Sequence, residues 1–459
     1  MSINGFTEKQ FVSILKSQLS VRAPIKSIER LVGRDKELEL IAEALYDDGG
    51  HVFIYGDRGV GKSSLAATVA SKYQSKDNEP IQIPCGRNTL FFQTIGEIAE
   101  RILRRAGASS STEIEHNFSI KVYKLKIKDK SKEIKIPKID SMFKAVDLLE
   151  EILNIHSSEP VIVIDEFDQI QKQEERANFA HFIKDLGDRG VNVKFIFTGV
   201  ASSLYHLLGD HESSFRQLFT LKLDRLYWSY REEITLNAVK AFGLKVNEEI
   251  VHSIAKISNG FPYFVHLLTQ NLLWAAFKDR ELVKVISDHH YKEAINRSIV
   301  GISGRLQLPY EKATLDKSHD YLLALWATAD SEDFIRYSDN IFKSYLRINE
   351  EIFGASPEGN EKPMNQKEFN KILAKFKTKS YGEVLEQVEG RRGLFSYKEN
   401  LLRGYVALKA MDAGVELKGD EPDQPKISSA MAREKFSGKF GFKSAYPGDP
   451  ASKIKFRNE

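Results

Sequence analysis

Eight residues, Gly56-Asp57-Arg58-Gly59-Val60-Gly61-Lys62-Ser63, constrain this chain more than any other stretch. They fill every fixed position of a phosphate-binding loop, directly after the β-rich run His51 to Tyr55 and before a helical pattern from Lys62 through Ala70. A strand, a glycine-rich turn and a helix in that order aim successive backbone N–H groups and a helix N-terminus at one point, where an anion is held. Lys62 is placed to reach β- and γ-phosphates, and the Ser63 hydroxyl to hold Mg²⁺. The expected nucleotide contacts are therefore Gly56, Asp57, Arg58, Gly59, Val60, Gly61, Lys62, Ser63 and Ser64.

A second motif supplies what such a loop needs. Val161-Ile162-Val163-Ile164 is a buried strand that delivers Asp165 and Glu166 to the carboxyl edge of a sheet. Asp165 is expected to bind Mg²⁺ together with Ser63, and Glu166 to orient and polarise an attacking water. Thr198, emerging from Phe195-Ile196-Phe197, either senses the γ-phosphate or merely caps its strand. No Asn-Lys-x-Asp guanine-reading motif follows the loop, so the expected ligands are ATP and Mg²⁺.

The rest of the chain is read around that core. At 459 residues it is long enough for two or three domains. Short apolar runs at Ile81, Val161, Val193 and Phe219 alternate with helical stretches, which predicts a parallel sheet covered on both faces. Residues 1–30 read as an N-terminal helical brace, with Thr7 and Gln10 in capping-box spacing. Residues 31–227 form the core. Within it, near 119–138, Ile120 to Leu125 and Glu133 to Ile136 read as a lysine-rich β-hairpin insertion. Residues 228–317 read as a helical lid broken at Ser258-Asn259-Gly260-Phe261-Pro262, and 318–417 as a winged-helix domain with two strands around Gly390-Arg391-Arg392-Gly393. Residues 418–459, rich in Gly, Pro, Ser and Lys, read as a flexible tail.

Val32-Gly33-Arg34-Asp35, the phosphate loop, Asp165-Glu166, Thr198 and Gly260-Phe261-Pro262 occur in an order that resembles AAA+ and STAND ATPases. The whole, from about Ile25 to Leu417, is similar to archaeal-type or initiator-like members with a C-terminal winged helix. The resemblance implies that Val32 and Gly33 contact adenine, that Pro262 packs near the nucleotide, and that a neighbouring subunit's arginine completes the site. Arg216, in Ser213-Ser214-Phe215-Arg216, is the first candidate for that finger and Arg225 the second; a surface ion pair is the alternative for Arg216. Gly260-Phe261-Pro262 stands where many AAA+ members have a lid arginine, which favours a STAND-like switch.

Charge and cysteine usage narrow the partners. A net charge of +3 does not by itself imply nucleic-acid binding. Lys121, Lys124, Lys126, Lys128, Lys130, Lys132, Lys135 and Lys138 on the hairpin could track duplex DNA or simply solvate an edge, and Arg391, Arg392, Lys371, Lys375 and Lys377 could serve a DNA-binding or a protein-docking winged helix. The single cysteine, Cys85, reads as a reduced buried thiol. No apolar run is long enough to cross a bilayer and no secretory signal opens the chain, so a cytoplasmic location without membrane contact is expected. Three functions follow: an ATP-hydrolysing switch that oligomerises with nucleotide state, a DNA-loading ATPase, or a nucleotide-gated scaffold with little turnover. Homo-oligomers and a separate effector protein are the expected partners.

Overall fold

Thr7 starts the first helix, α1 (Glu8–Gln18). Its hydroxyl accepts the Gln10 N–H at 3.3 Å, and the Gln10 side-chain oxygen accepts the Thr7 N–H at 2.9 Å. The computed structural model describes residues 3–419 apart from 4, 48, 75–78, 110–117, 120–123, 126–137, 201–217, 303, 332 and 355–361. From α1 the Phe11 ring stacks on Phe277, with centroids 4.2 Å apart, so the brace is fixed by apolar contact to the helices that follow the core.

The core runs α2 (Asp35–Tyr46), β1 (His51–Tyr55), α3 (Lys62–Tyr73), β2 (Ile81–Pro84) and α4 (Phe91–Ser109), then a short antiparallel pair, β3 (Phe118–Ser119) and β4 (Lys124–Leu125). It continues through α5 (Met142–His156), β5 (Val161–Asp165), α6 (Gln173–Asp188), β6 (Lys194–Gly199) and β7 (Leu218–Lys222). The five long strands make one parallel sheet in the order β2-β5-β6-β1-β7. Side chains alternate strictly along it. Val52, Ile54, Val161, Val163 and Ile196 bury on the face carrying α3, while Phe53, Ile162, Ile164, Phe195 and Phe197 bury with residues of α4, α5 and α6 on the other. Each such side chain, removed from water, contributes about 1.5–3 kcal/mol. The sheet order inserts β6 between β1 and β5, and this places Thr198 between the phosphate loop and Asp165.

The expected hairpin differs in register. The described pairing joins Phe118 to Leu125 and Ser119 to Lys124. The expected partner strand, Glu133 to Ile136, and most of the hairpin lysines lie outside the described residues.

After the core come α7 (Trp228–Ala241), β8 (Lys245–Val246), α8 (Glu248–Ser258), α9 (Pro262–Phe277), β9 (Val285–Ile286), α10 (Asp288–Gly301) and α11 (Gly304–Thr314). The break between α8 and α9 is a backbone requirement. Gly260 has φ +81°, and a Cβ there would sit 2.7 Å from Cβ of Arg225. Pro262 then opens α9 at its first position, where a missing N–H costs nothing.

The last unit is α12 (His319–Ala329), β10 (Ile335–Tyr337), α13 (Ser338–Phe353), α14 (Gln366–Lys375), β11 (Leu385–Gln387), β12 (Leu394–Tyr397) and α15 (Leu401–Asp412). Its antiparallel sheet has the order β10-β12-β11. Helix, strand, helix, helix, strand, strand, with the first strand beside the last, is the element order of a winged helix. The sequence predicts two of these strands; the third, β10, is only three residues long and has no local signal beyond Ile335 and Tyr337. Met1–Gly419 packs as one compact unit. Among the described residues no helix is long and apolar enough to cross a membrane.

Candidate nucleotide site

The phosphate loop is shaped by backbone that only glycine adopts cheaply. Gly59 has φ +81° and Gly61 φ +101°, the latter capping the N-terminus of α3. The Lys62 ammonium donates to the carbonyls of Gly56 at 3.0 Å and Asp57 at 2.8 Å, which holds it over the loop. Burial lowers its pKa, and the carboxylates of Asp168 and Asp57 oppose that shift. A cation so placed, beside a helix N-terminus, is what a polyphosphate requires.

Asp165 is the hub of the site. Its carboxylate is buried at 7% exposure, and every donor around it comes from a different element. Ser63 Oγ donates to Oδ1 at 2.8 Å, the Glu166 backbone N–H to Oδ1 at 3.1 Å, the Thr198 hydroxyl also to Oδ1, and the Gln82 amide to Oδ2 at 2.9 Å. Such charge-assisted bonds contribute about 1.5–3 kcal/mol each, enough to hold an otherwise costly buried charge in one orientation. Thr198 is bound on both sides, since its oxygen accepts the Glu166 N–H at 3.1 Å. Glu166 itself adopts φ +56°, ψ +40°, a left-handed conformation costing about 1–2 kcal/mol for a residue with a Cβ. The Ser63 hydroxyl and the Asp165 carboxylate are hard oxygen donors within hydrogen-bonding distance of each other, and this donor set fits Mg²⁺.

Other expected residues converge on the same place. Arg34, 5% exposed, donates to Val60 O at 3.0 Å and Asp224 O at 2.7 Å, so the Val32-Gly33-Arg34 turn is tied to the phosphate loop and to the end of β7. Gly33 (φ +71°) leaves no space for a Cβ because the Tyr230 ring of α7 lies against it. Ser64 Oγ accepts the Ile25 N–H at 3.1 Å, which attaches the N-terminal strap to α3. A Cβ on Gly61 would meet Pro262 Cγ at 4.0 Å, so Pro262 stands beside the loop. Arg216 lies outside the described residues. Arg225 is engaged within the chain: it donates to Asn259 O at 3.1 Å, and its guanidinium lies 4.0 Å over the Phe334 ring.

Sequence reasoning did not find three participants. Gln82 lies within the apolar run Ile81-Gln82-Ile83, but its role depends on β2 lying next to β5, which no local pattern reveals. Asn400 donates its side-chain amide to Asp57 Oδ2 at 3.0 Å across 343 residues of sequence, and Leu401 covers the loop so closely that a Cβ on Gly59 would fall 2.8 Å from Leu401 Cδ1. Between the loop and the C-terminal unit runs a cleft of about 730 Å³ lined by Tyr55, Arg58, Lys222, Arg305 and Lys398 among others. Cys85, beside Asp165, is buried, and burial pushes its thiol up to about 12.

Residues 30–196 match the family model described as the AAA ATPase domain. No curated protein matches the chain. Among solved structures, a Walker-type ATPase of Pyrococcus abyssi is similar at 16% identity and a TM-score of 0.50, over 84% of this chain and 98% of that one. The Orc1 protein of Aeropyrum pernix in complex with DNA matches at 15% identity and a TM-score of 0.43, over 88% and 96%. The RuvB Holliday junction branch migration motor of Thermotoga maritima matches at 14% identity and a TM-score of 0.41, over 85% and 98%. The first is a likeness of fold alone.

Proposed function

Since residues 30–196 match the AAA ATPase domain, we propose that the chain is an AAA+ P-loop ATPase that works as an ATP-hydrolysing switch, in which the C-terminal unit releases the phosphate loop when ATP binds. The observation that carries this is the contact of α15 and the residue before it with the loop: Asn400 on Asp57 at 3.0 Å, and Leu401 over Gly59.

In this reading the loop amides and Lys62 grip the triphosphate, and the Lys62 ammonium exchanges the carbonyls of Gly56 and Asp57 for phosphate oxygens. Ser63 and Asp165 hold Mg²⁺, which neutralises phosphate charge when bound. Val32 and Gly33 take the adenine, and Pro262 and Ser64 pack beside the nucleotide. Glu166 accepts the proton of the attacking water. Thr198, bonded to both Asp165 and the Glu166 N–H, registers the γ-phosphate and relays its presence to the acidic pair. Arg216 donated from a neighbouring copy is the expected trans contribution, coupling turnover to homo-oligomer formation. A separate effector would then dock on the released C-terminal unit.

The DNA-loading reading draws on exposed Arg391 and Arg392 in the turn between β11 and β12, although Lys375 and Lys377 of the same patch are engaged by Tyr321 and Gln387. The discriminating experiment is mass measurement of the parent and of an Asn400→Ala/Leu401→Ala double variant with ADP, with ATP and with duplex DNA. The switch predicts an ATP-dependent rise in mass without DNA and faster ADP release from the double variant. Unchanged ADP release, with mass responding only to DNA, would contradict it.

A further inference from the structure

The third position of the phosphate loop is variable in the motif, and here it is an arginine. The Arg58 guanidinium Nη2 donates to Asp168 Oδ2 at 3.0 Å, and both side chains are largely covered, at 27% and 13% exposure. Asp168 lies two residues beyond Glu166, on the short 3₁₀ turn Phe167–Gln169, and the Gln169 amide donates to the same oxygen at 2.8 Å. The pair therefore spans from the loop that would hold phosphate to the turn that carries the acidic pair. Arg58 and Asp168 both act on the charge of Lys62, from opposite directions, so all three groups share one locality.

An ion pair with this exposure adds little stability, of the order of 0–1 kcal/mol. It does fix the direction of a guanidinium, whose planar fork suits phosphoryl oxygens. We propose that Arg58 is a catalytic residue of ATP hydrolysis that acts in cis, held by Asp168 until its guanidinium moves to the γ-phosphoryl oxygens. The water oxygen forms a bond to the γ-phosphorus, and the bond from that phosphorus to the β,γ-bridging oxygen breaks. The electron pair stays on ADP, and the water proton passes to Glu166 and then to solvent. Arg58 transfers no proton; it offsets the negative charge that grows on the transferring group. The inference rests on the nucleotide-site reading of Asp165 and Glu166 given above.

The test compares parent, Arg58→Ala, Arg58→Lys and Asp168→Asn by single-turnover hydrolysis, by affinity for ADP and for ADP with aluminium fluoride, and by thermal unfolding. Arg58→Ala should slow hydrolysis by about 100-fold or more and weaken ADP with aluminium fluoride comparably, while ADP affinity stays within about threefold. Arg58→Lys should restore part of both, and Asp168→Asn should retain tight aluminium fluoride binding. Hydrolysis within about threefold of parent in Arg58→Ala would overturn the assignment. So would equal losses of hydrolysis and of thermal stability in Arg58→Ala and Asp168→Asn with aluminium fluoride affinity unchanged, the pattern of a structural clip. A parent that binds no nucleotide, or binds it and never hydrolyses it, would overturn the underlying reading as well; an active parent with an active Arg58→Ala overturns this inference alone.

Discussion

At Asp165, two protein hydroxyls, an amide side chain and a backbone N–H all point to one carboxylate. That arrangement distinguishes two acids adjacent in sequence: Asp165 is buried at the sheet edge with four donors on its carboxylate, while Glu166 is exposed on left-handed backbone. The proposed division of labour, Asp165 holding the metal and Glu166 orienting water, needs the two carboxylates kept apart in this way. Glu166→Gln keeps the size and backbone of the residue but removes its basicity. It should leave ATP affinity within about threefold of the parent and lower turnover by about 100-fold or more, measured by nucleotide titration and phosphate release. Parent-like turnover in that variant would place the base elsewhere.

At the scale of elements, much of the site was legible because its signals are local. The loop motif, the strand Val161 to Ile164 ending in acids, and the glycine and proline between α8 and α9 each announce a backbone geometry within a few residues. What could not be read depends on which strand lies beside which. Gln82 meets Asp165 only because β2 pairs with β5, and Asn400 meets Asp57 only because α15 packs onto the loop. The three-residue strand β10 escaped for a related reason, since Ile335 and Tyr337 gain meaning only against β12, whereas α13 has a helical apolar spacing of its own at Ile341, Tyr345 and Ile348 that was legible and not used. Elements also set the response to acid. His51 of β1 is buried and its Nδ1 accepts the Phe195 N–H of β6 at 3.1 Å, a bond only the neutral ring can make. Burial, with Lys194 adding to it, holds its pKa down to about 3, and burial brings His266 of α9 to about 4, against 6.5 for an open chain. Below pH 6.5 the unfolded chain therefore binds more protons than the folded one, so this contribution is complete above that pH and is lost as pH falls toward 4 and then 3. Thermal unfolding midpoints should fall steadily from pH 7 to about pH 5. A flat profile over that range would mean that these rings are protonated without cost.

For the molecule as a whole, the loop is a meeting point. The N-terminal strap reaches α3 through Ile25 and Ser64, the Arg34 turn reaches Val60, the lid brings Pro262 against Gly61, and the C-terminal unit adds Asn400 and Leu401. Three separate parts of the chain thus converge on the eight loop residues and a fourth on the next residue, Ser64, so a ligand gripped there is positioned to shift all four. That grip is what binding of the triphosphate requires. Isothermal titration of ATP with Mg²⁺ into the parent should give one saturable site per chain, and Lys62→Ala should bind about 100-fold more weakly or not measurably. Equal affinity in the two proteins, or a folded parent that takes up no adenine nucleotide, would contradict it.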